Sequence, residues 1–514
     1  MVLPANTGRI SDKKIMLRLL ILILLLPVGV QAQLQLGRIF SDNMLLQRDR
    51  PVHVWGKCTP GEFVTVTLGK ETKSTIVKRD SSWSIYLPPQ KANSFSQRLH
   101  VTSGKEEINI QDVLIGDVWI CIGQSNMEWP VIKEMHYKEE IKGSSQPLLR
   151  LYNPAYAGKS IFNSSFSDSV QQLLTPEKFY KGAWQACDSS SFKNMSAVAY
   201  YFGKKVTEET GVPIGLVNLS IGGAPLETFI DKNVLKNSDQ FSGKVNGDWL
   251  DNGALPVWIR ERGKQNVLMA QNVAADEQGK NHAFKPGFAY AAGIAPLLFT
   301  QIKGILCYQG ESNAQEMERL NEYAALTKLM IDDYRAKWEN LKLPFYYVQL
   351  SSIDTLKYKG QLWPHFRNEQ RGMMNLIPNS GMAVCSDIGN KDDVHPVNKK
   401  LVGERLARWA LNKTYHQNII PSGPLPLKAI YKRGKVIIAF QYAGDGLKTS
   451  DSKPLKGFST DGKHEAEAVV NGRKILIPAS AKPEYIFYCW KPFSDGNLVN
   501  SDELPASTFK IEVK

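Results

Sequence analysis

Metal-ligand spacings, dense basic runs, internal repeats and low-complexity tracts are all missing from this 514-residue chain. The six cysteines, Cys58, Cys121, Cys187, Cys307, Cys385 and Cys489, form no CxxC. Zinc-ribbon and dithiol redox readings therefore lapse. Three of these cysteines sit inside apolar, strand-like runs, which suits buried free thiols better than bridges. Lys and Arg outnumber Asp and Glu by 63 to 50, a net charge of +13. The cations are scattered, so nucleic acid is not an expected partner. Beyond residue 32 no stretch is long and apolar enough to cross a bilayer. A composition that is 43% hydrophobic and 22% charged excludes wholesale disorder. The length implies two or three domains.

The N-terminus carries a recognisable pattern. Lys13, Lys14 and Arg18 precede an apolar run from Leu19 to Val30, followed by Val30-Gln31-Ala32. Basic, apolar and small segments in that order describe a secretory signal peptide. We expect residues 1–32 to be removed on export to a periplasm or the exterior, with Met16 an alternative start and an uncleaved anchor the competing reading. Losing four Lys/Arg and one Asp takes the net charge from +13 to +10. No cysteine stands directly after the cleavage site, so a lipid anchor is not indicated.

Residues 33–112 read as a small β-sandwich: short runs rich in β-branched and aromatic residues alternate with Gly, Pro and Asp-Ser clusters. Trp55 and Trp83 are expected in its core rather than on a sugar-binding platform. From 113 to 422 strands alternate with helices, the mark of a parallel, doubly wound α/β sheet. Strands are expected at 113–122, 148–153, 214–220, 302–308, 344–352 and 381–387. Helices are expected at 196–210, 316–338, 366–374 and 397–411. Residues 165–188 read mostly as connection, and 231–285 as an insertion over the site with a helical candidate near 255–277. After Pro421 the helices stop, and 423–514 read as a second small β-sandwich.

Four apolar runs end in polar turns, at Ser125, Gly222-Gly223, Gln309 to Asn313, and Asp392 to His395. In a parallel sheet the carboxyl ends of strands line one rim, so these groups can converge. Ser125, just past an apolar strand and beside Gly123, is placed as a nucleophile would be. Its hydroxyl needs a base to take its proton. His395 is the best base, with an ordinary pKa near neutrality. A carboxylate should orient the imidazole. Asp392 gives a DxxH spacing that one loop can close, Asp393 competes, and neither is the third possibility. Oxyanion donors are expected from the Gly222-Gly223 backbone, the amide of Asn313 or Gln309, and the Ser125 N–H. The same residues also read more plainly, as a turn at 222–223 and a helix start at 312–316. Glu311 needs a partner if buried and is expected to fix the loops beneath Ser125.

Taken together, GQSNM at 123–127, the SxGG turn at 220–223, QGESN at 309–313 and the DxVHP stretch at 392–396 resemble the SGNH-type hydrolases. More narrowly they resemble the sialate O-acetylesterase family of carbohydrate esterases. LQRDRPVHVWG (46–56) and ELPASTF (503–509) extend the resemblance over most of the chain. It implies a flavodoxin-like sheet and a serine esterase without metal or cofactor. It implies removal of acetyl groups from the hydroxyls of sialic acids. By the same resemblance Ser125 is the nucleophile, His395 the base, and Gly223 and Asn313 the oxyanion donors, with a backbone carbonyl as an alternative orienter of the histidine. An esterase of acetyl-xylan or another polysaccharide keeps the same residues. A non-catalytic carbohydrate-binding protein, working through its flanking β-sandwiches, is the alternative of another class.

Overall fold

Every residue from Val113 to Gly123 is buried. Such a run suits a strand covered on both faces. In the computed structural model, which describes residues 1–3, 33–356 and 358–514, it forms the second half of an 18-residue strand. The signal peptide expected over 1–32 lies outside the described residues from residue 4 onward.

In chain order, β1 is Leu45–Gln47, β2 Phe63–Leu68, β3 Asn93–Ser103 and β4 Glu106–Gly123. Then come β5 Gln146–Tyr152, β6 Trp184–Cys187, β7 Ile214–Asn218, β8 Gly304–Tyr308, β9 Phe345–Val348 and β10 Ser380–Ala383. The helices that matter here are α1 Ser125–Glu128, α2 Ala197–Thr210, α3 Val257–Val267, α4 Met317–Lys337, α5 Trp363–Leu376 and α6 Lys399–Lys413.

The central strand order is β6-β5-β7-β4-β8-β9-β10. Only β6 is antiparallel to its neighbour; the other pairs are parallel. From β7 to β10 the order is 2-1-3-4-5 in chain sequence, a common order of doubly wound sheets. Its switch point falls between β4 and β8, where ligands bind in such sheets. Helices α2 and α6 pack together, as do α4 and α5. The side-chain oxygen of Ser196 caps α2 by accepting from the Ala199 N–H, and Asn398 caps α6 by accepting from Leu401.

The first half of β4 belongs to the N-terminal region. It pairs antiparallel with β3, which pairs with β2, while β1 lies parallel to Leu114–Gly116. The change of pattern near residue 113 thus falls inside one strand. Asp117, on the same strand and fully buried, accepts from Nε and Nη2 of Arg48 at 3.0 and 2.9 Å. A further sheet of Gln35–Leu36, Val52–Lys57 and Ser82–Leu87 completes this region. Trp83 is core as expected. Trp55 is half-buried and, with Tyr152, Tyr180 and Phe299, lines a cavity of about 430 Å³.

Residues 425–514 form short antiparallel sheets around a separate core that includes Val436, Ile438, Ile475, Ile486 and Phe509. Several expectations need correction. The stretch 165–188 is mostly connection, as expected, but β6 within it extends the sheet at its edge. The strands expected at 344–352 and 381–387 end early, at Val348 and Ala383, and the helical candidate near 255–277 covers only Val257–Val267. The insertion near 231–285 contains α3 and is tied down by buried Lys244, whose ammonium donates to Glu227 Oε1 (2.8 Å) and Glu322 Oε1 (2.5 Å). All six cysteines are buried and unpaired. No helix among the described residues is long and apolar enough to cross a membrane.

Candidate active site

β4 ends at Gly123 with φ of +136°, and a side chain there would put its Cβ 2.1 Å from the carbonyl oxygen of Tyr308 on β8. Only glycine fits such an approach. Gln124 is extended, and Ser125 opens the short helix α1. The hydroxyl therefore stands at the carboxyl end of β4, at the switch point.

His395 comes from the loop after β10. Its Nε2 lies 2.8 Å from Ser125 Oγ, although 270 residues separate the two. Its Nδ1 lies 2.9 Å from Asp393 Oδ1. A carboxylate only accepts, so Nδ1 carries the proton and Nε2 is left to accept from the serine hydroxyl. The ring stacks on Trp129, with centroids 5.3 Å apart. Burial pulls the His395 pKa below the ordinary 6.5, partly offset by the Asp393 charge. The imidazole is thus neutral at neutral pH, as a base must be.

The preferred DxxH spacing does not describe the contact. Asp393, not Asp392, meets the ring. One oxygen of Asp393 accepts from both the His395 backbone N–H and Nδ1, each at 2.9 Å. This is a local turn closed two residues on by an aspartate side chain. Asp392 is exposed, and its backbone N–H donates to Asn390 Oδ1.

The oxyanion expectations divide. Gly223 has φ of +78°, and neither its N–H nor that of Ser125 has a hydrogen-bond acceptor among the described residues. Gln309 is different. Its Nε2 faces three protein acceptors, Gln124 Oε1, Ala224 O and Asn313 Oδ1, and its Oε1 accepts from Tyr323 OH. With two protons and three acceptors it has none to offer a substrate; it ties three loops together. Asn313 is fully buried, donates one Nδ2 proton to Glu227 Oε2 (3.0 Å) and accepts from Leu226 N–H (3.2 Å). Burial works to raise the Glu227 pKa, but Lys244 and Asn313 outweigh it and hold the carboxyl below its usual range.

Beneath the Ser125–His395 pair lie polar groups that sequence reasoning passed over. Asn126 donates to Glu311 Oε1 (2.5 Å) and to the Val394 carbonyl (3.0 Å), and accepts from Lys399 Nζ. The sequence points to Glu311 as a residue that fixes these loops but gives no pointer to Asn126 or Lys399, because a lysine in the first turn of a helix reads as a solvated cation. Ser312 Oγ donates to Gly223 O (2.9 Å) and accepts from Trp258 Nε1 of α3 (3.0 Å), so the insertion does reach the Gly223 turn. No cluster among the described residues has the donors to hold a metal ion.

An α/β sheet with this rim, set beside its relatives, defines a carboxylic ester hydrolase. Residues 288–412 match the family of carbohydrate esterases described as sialic acid-specific acetylesterase. The chain is 27% identical to the sialate O-acetylesterase of Rattus norvegicus over 465 residues, 82% of this chain and 81% of that one. It is 29% identical to the Homo sapiens sialate O-acetylesterase over 446 residues, 80% of this chain and 78% of that one. A crystal structure of a carbohydrate acetylesterase from Xanthomonas citri superposes with a TM-score of 0.76 at 27% identity, covering 93% of this chain and 99% of that one. The chain is related by sequence to the sialate O-acetylesterases and by fold to the Xanthomonas citri carbohydrate acetylesterase.

Proposed function

We propose that the protein removes O-acetyl groups from sialic acids through an acetyl-serine intermediate. The observation that carries this reading is the 2.8 Å contact between Ser125 Oγ and His395 Nε2. The relatives named above supply the substrate class.

Ser125 Oγ attacks the acetyl carbonyl while His395 Nε2 takes its proton. Asp393 holds the ring in the required tautomer and stabilises the imidazolium. The backbone N–H groups of Ser125 and Gly223 receive the developing oxyanion, with the remaining Nδ2 proton of Asn313 as a third donor. The tetrahedral intermediate collapses, and the sugar oxygen leaves with the proton from His395. Water, deprotonated by the same imidazole, then releases acetate from the serine.

The strand order and the placement of Ser125 support an SGNH-type, flavodoxin-like catalytic domain. The separate core of residues 425–514 supports a C-terminal β domain, while the N-terminal β region shares a strand and a core with the catalytic sheet. The basic and apolar N-terminal stretch supports export. Ser125→Ala is the direct test, assayed on a chromogenic acetyl ester; a folded variant with near wild-type turnover removes the esterase assignment. Acetate release from O-acetylated sialic acid and from acetyl-xylan, compared for the wild type, decides the sugar. Tight glycan binding without turnover would instead identify a binding protein.

A further inference from the structure

Three buried polar side chains lie under the proposed catalytic pair and take no part in the steps above. Asn126, next to the nucleophile, is 1% exposed and has both amide protons committed: one to Glu311 Oε1 (2.5 Å), one to the carbonyl of Val394 (3.0 Å), next to the base. Its Oδ1 accepts from Lys399 Nζ, at the start of α6. Glu311 and Lys399 are buried at 1% and 0% exposure. They form no direct ion pair; the anion and the cation meet through the two ends of one amide. The Lys399 ammonium also lies 5.5 Å from the Trp129 ring, on which His395 stacks, and 5.6 Å from Tyr308.

We propose that Glu311 and Lys399 grip Asn126 from opposite ends, and that this grip positions the histidine loop against the nucleophile turn. Both are positioning residues, and the inference rests on the Ser125–His395 reading. Three pieces of chain meet at the one amide: the turn after β4, the loop after β8 and the loop leading into α6. A hydrogen bond to an ionised partner is roughly twice as strong as a neutral one. An amide held by charge at both ends is thus a stiff joint. Two buried ions are costly for stability, and Glu311 Oε2 has no hydrogen-bond partner among the described residues. That cost is understandable where it fixes the geometry of a reaction.

The charges are poised. Burial pushes Glu311 up to about 7, offset by Asn126 and Lys399, and brings Lys399 down to about 7, offset by Glu311. Lys399 also faces Cys385, Asp393, Glu134 and the His395 imidazole, whose pKa it lowers, and Glu311 faces Cys307, Tyr308, Tyr323 and Tyr358. The grip therefore loses its anion as pH falls below neutrality and its cation as pH rises above it. The two groups titrate as a pair.

The test measures kcat and KM on 4-nitrophenyl acetate across the neutral range for the full chain, with Lys399→Met, Glu311→Gln and Ser125→Ala. We expect Lys399→Met to lower kcat about 10- to 100-fold with little change in KM, the cost of small misplacement. It should also flatten the alkaline limb of the kcat profile. Glu311→Gln keeps the acceptor for Asn126 and removes the charge. It should lower kcat less and shift the acid limb toward lower pH, leaving His395 alone to set it. A role confined to stability would lower Tm and leave both limbs in place. A folded Lys399→Met with wild-type kcat and an unchanged alkaline limb overturns the proposal. Should that variant not fold, Glu311→Gln, nearly isosteric, decides alone by the same criterion on the acid limb. Activity surviving in Ser125→Ala would sink the esterase reading itself; an inactive Ser125→Ala beside wild-type clamp variants sinks only the clamp.

Discussion

The two β regions that flank the catalytic sheet are attached in opposite ways. The N-terminal one shares a strand with it. β4 begins in the antiparallel pairing with β3, passes Asp117, and ends two residues before Ser125. The hydrophobic core runs unbroken from Val54 and Val64 through Ile115 to Ile122 and the central sheet. The C-terminal region keeps its own core and docks through a few apolar contacts, Leu425 and Tyr442 against the main core, together with polar ones. Arg367 of α5, fully buried, donates to the carbonyls of Cys489 and Pro492 at 3.3 and 3.4 Å and to that of Lys491. Burial without a carboxylate partner brings this guanidinium down to about 10. The C-terminal region also reaches the histidine side of the site, where Lys391 lies 5.3 Å from the Phe493 ring. One region thus shares its backbone with the nucleophile's strand, and the other abuts the base's loop.

The sharpest way to break the first attachment is at its end. Gly123→Ala forces a Cβ against Tyr308 O at a backbone angle that alanine resists, so we expect kcat to fall at least about 100-fold. Steady-state kinetics on the folded variant would show it. Next come paired core truncations. Ile115→Ala and Ile475→Ala each empty a fully buried site and should cost about 2–5 kcal/mol. The first should lower one calorimetric transition that includes the catalytic sheet, and activity should fall with it. The second should move a separate, earlier transition with activity retained below the main one. A single shared transition for both variants would erase the distinction between the two regions. The smallest effect concerns the base's loop. Asp393→Ala should lower kcat about 10-fold, because the carboxylate it removes is half exposed, while Asp392→Ala stays near wild type. Asp393 raises the His395 pKa, so its loss should move the acid limb of the pH profile to lower pH.

Much of this was legible in the sequence. The alternation of apolar runs and amphipathic stretches located the parallel strands, and their polar ends located Ser125 and His395. The domain division near 112 was drawn where the pattern changes, but the cause is different. There β4 passes from burial on one face to burial on both, so alternation gives way to a continuous apolar run within one strand. The choice between Asp392 and Asp393 stays open in the sequence because spacing alone does not say which of two adjacent carboxylates turns toward the ring. Gln309 reads like a group facing a cleft, since polar residues at strand ends read alike whether they meet a ligand or, as here, neighbouring loops. Lys399 and Asn126 gave no signal at all: their partners come from segments far away in the chain.

The unpaired thiols have a practical consequence. With six cysteines buried and none bridged, no covalent crosslink holds the fold. Dithiothreitol should leave the native protein intact, and refolding needs no oxidant. Burial also pushes the thiols of Cys121, Cys187, Cys307 and Cys385 away from the reactive thiolate form. An alkylating reagent can then reach them only when the chain opens, so the rate of labelling at each cysteine becomes a clock for the breathing of its own region.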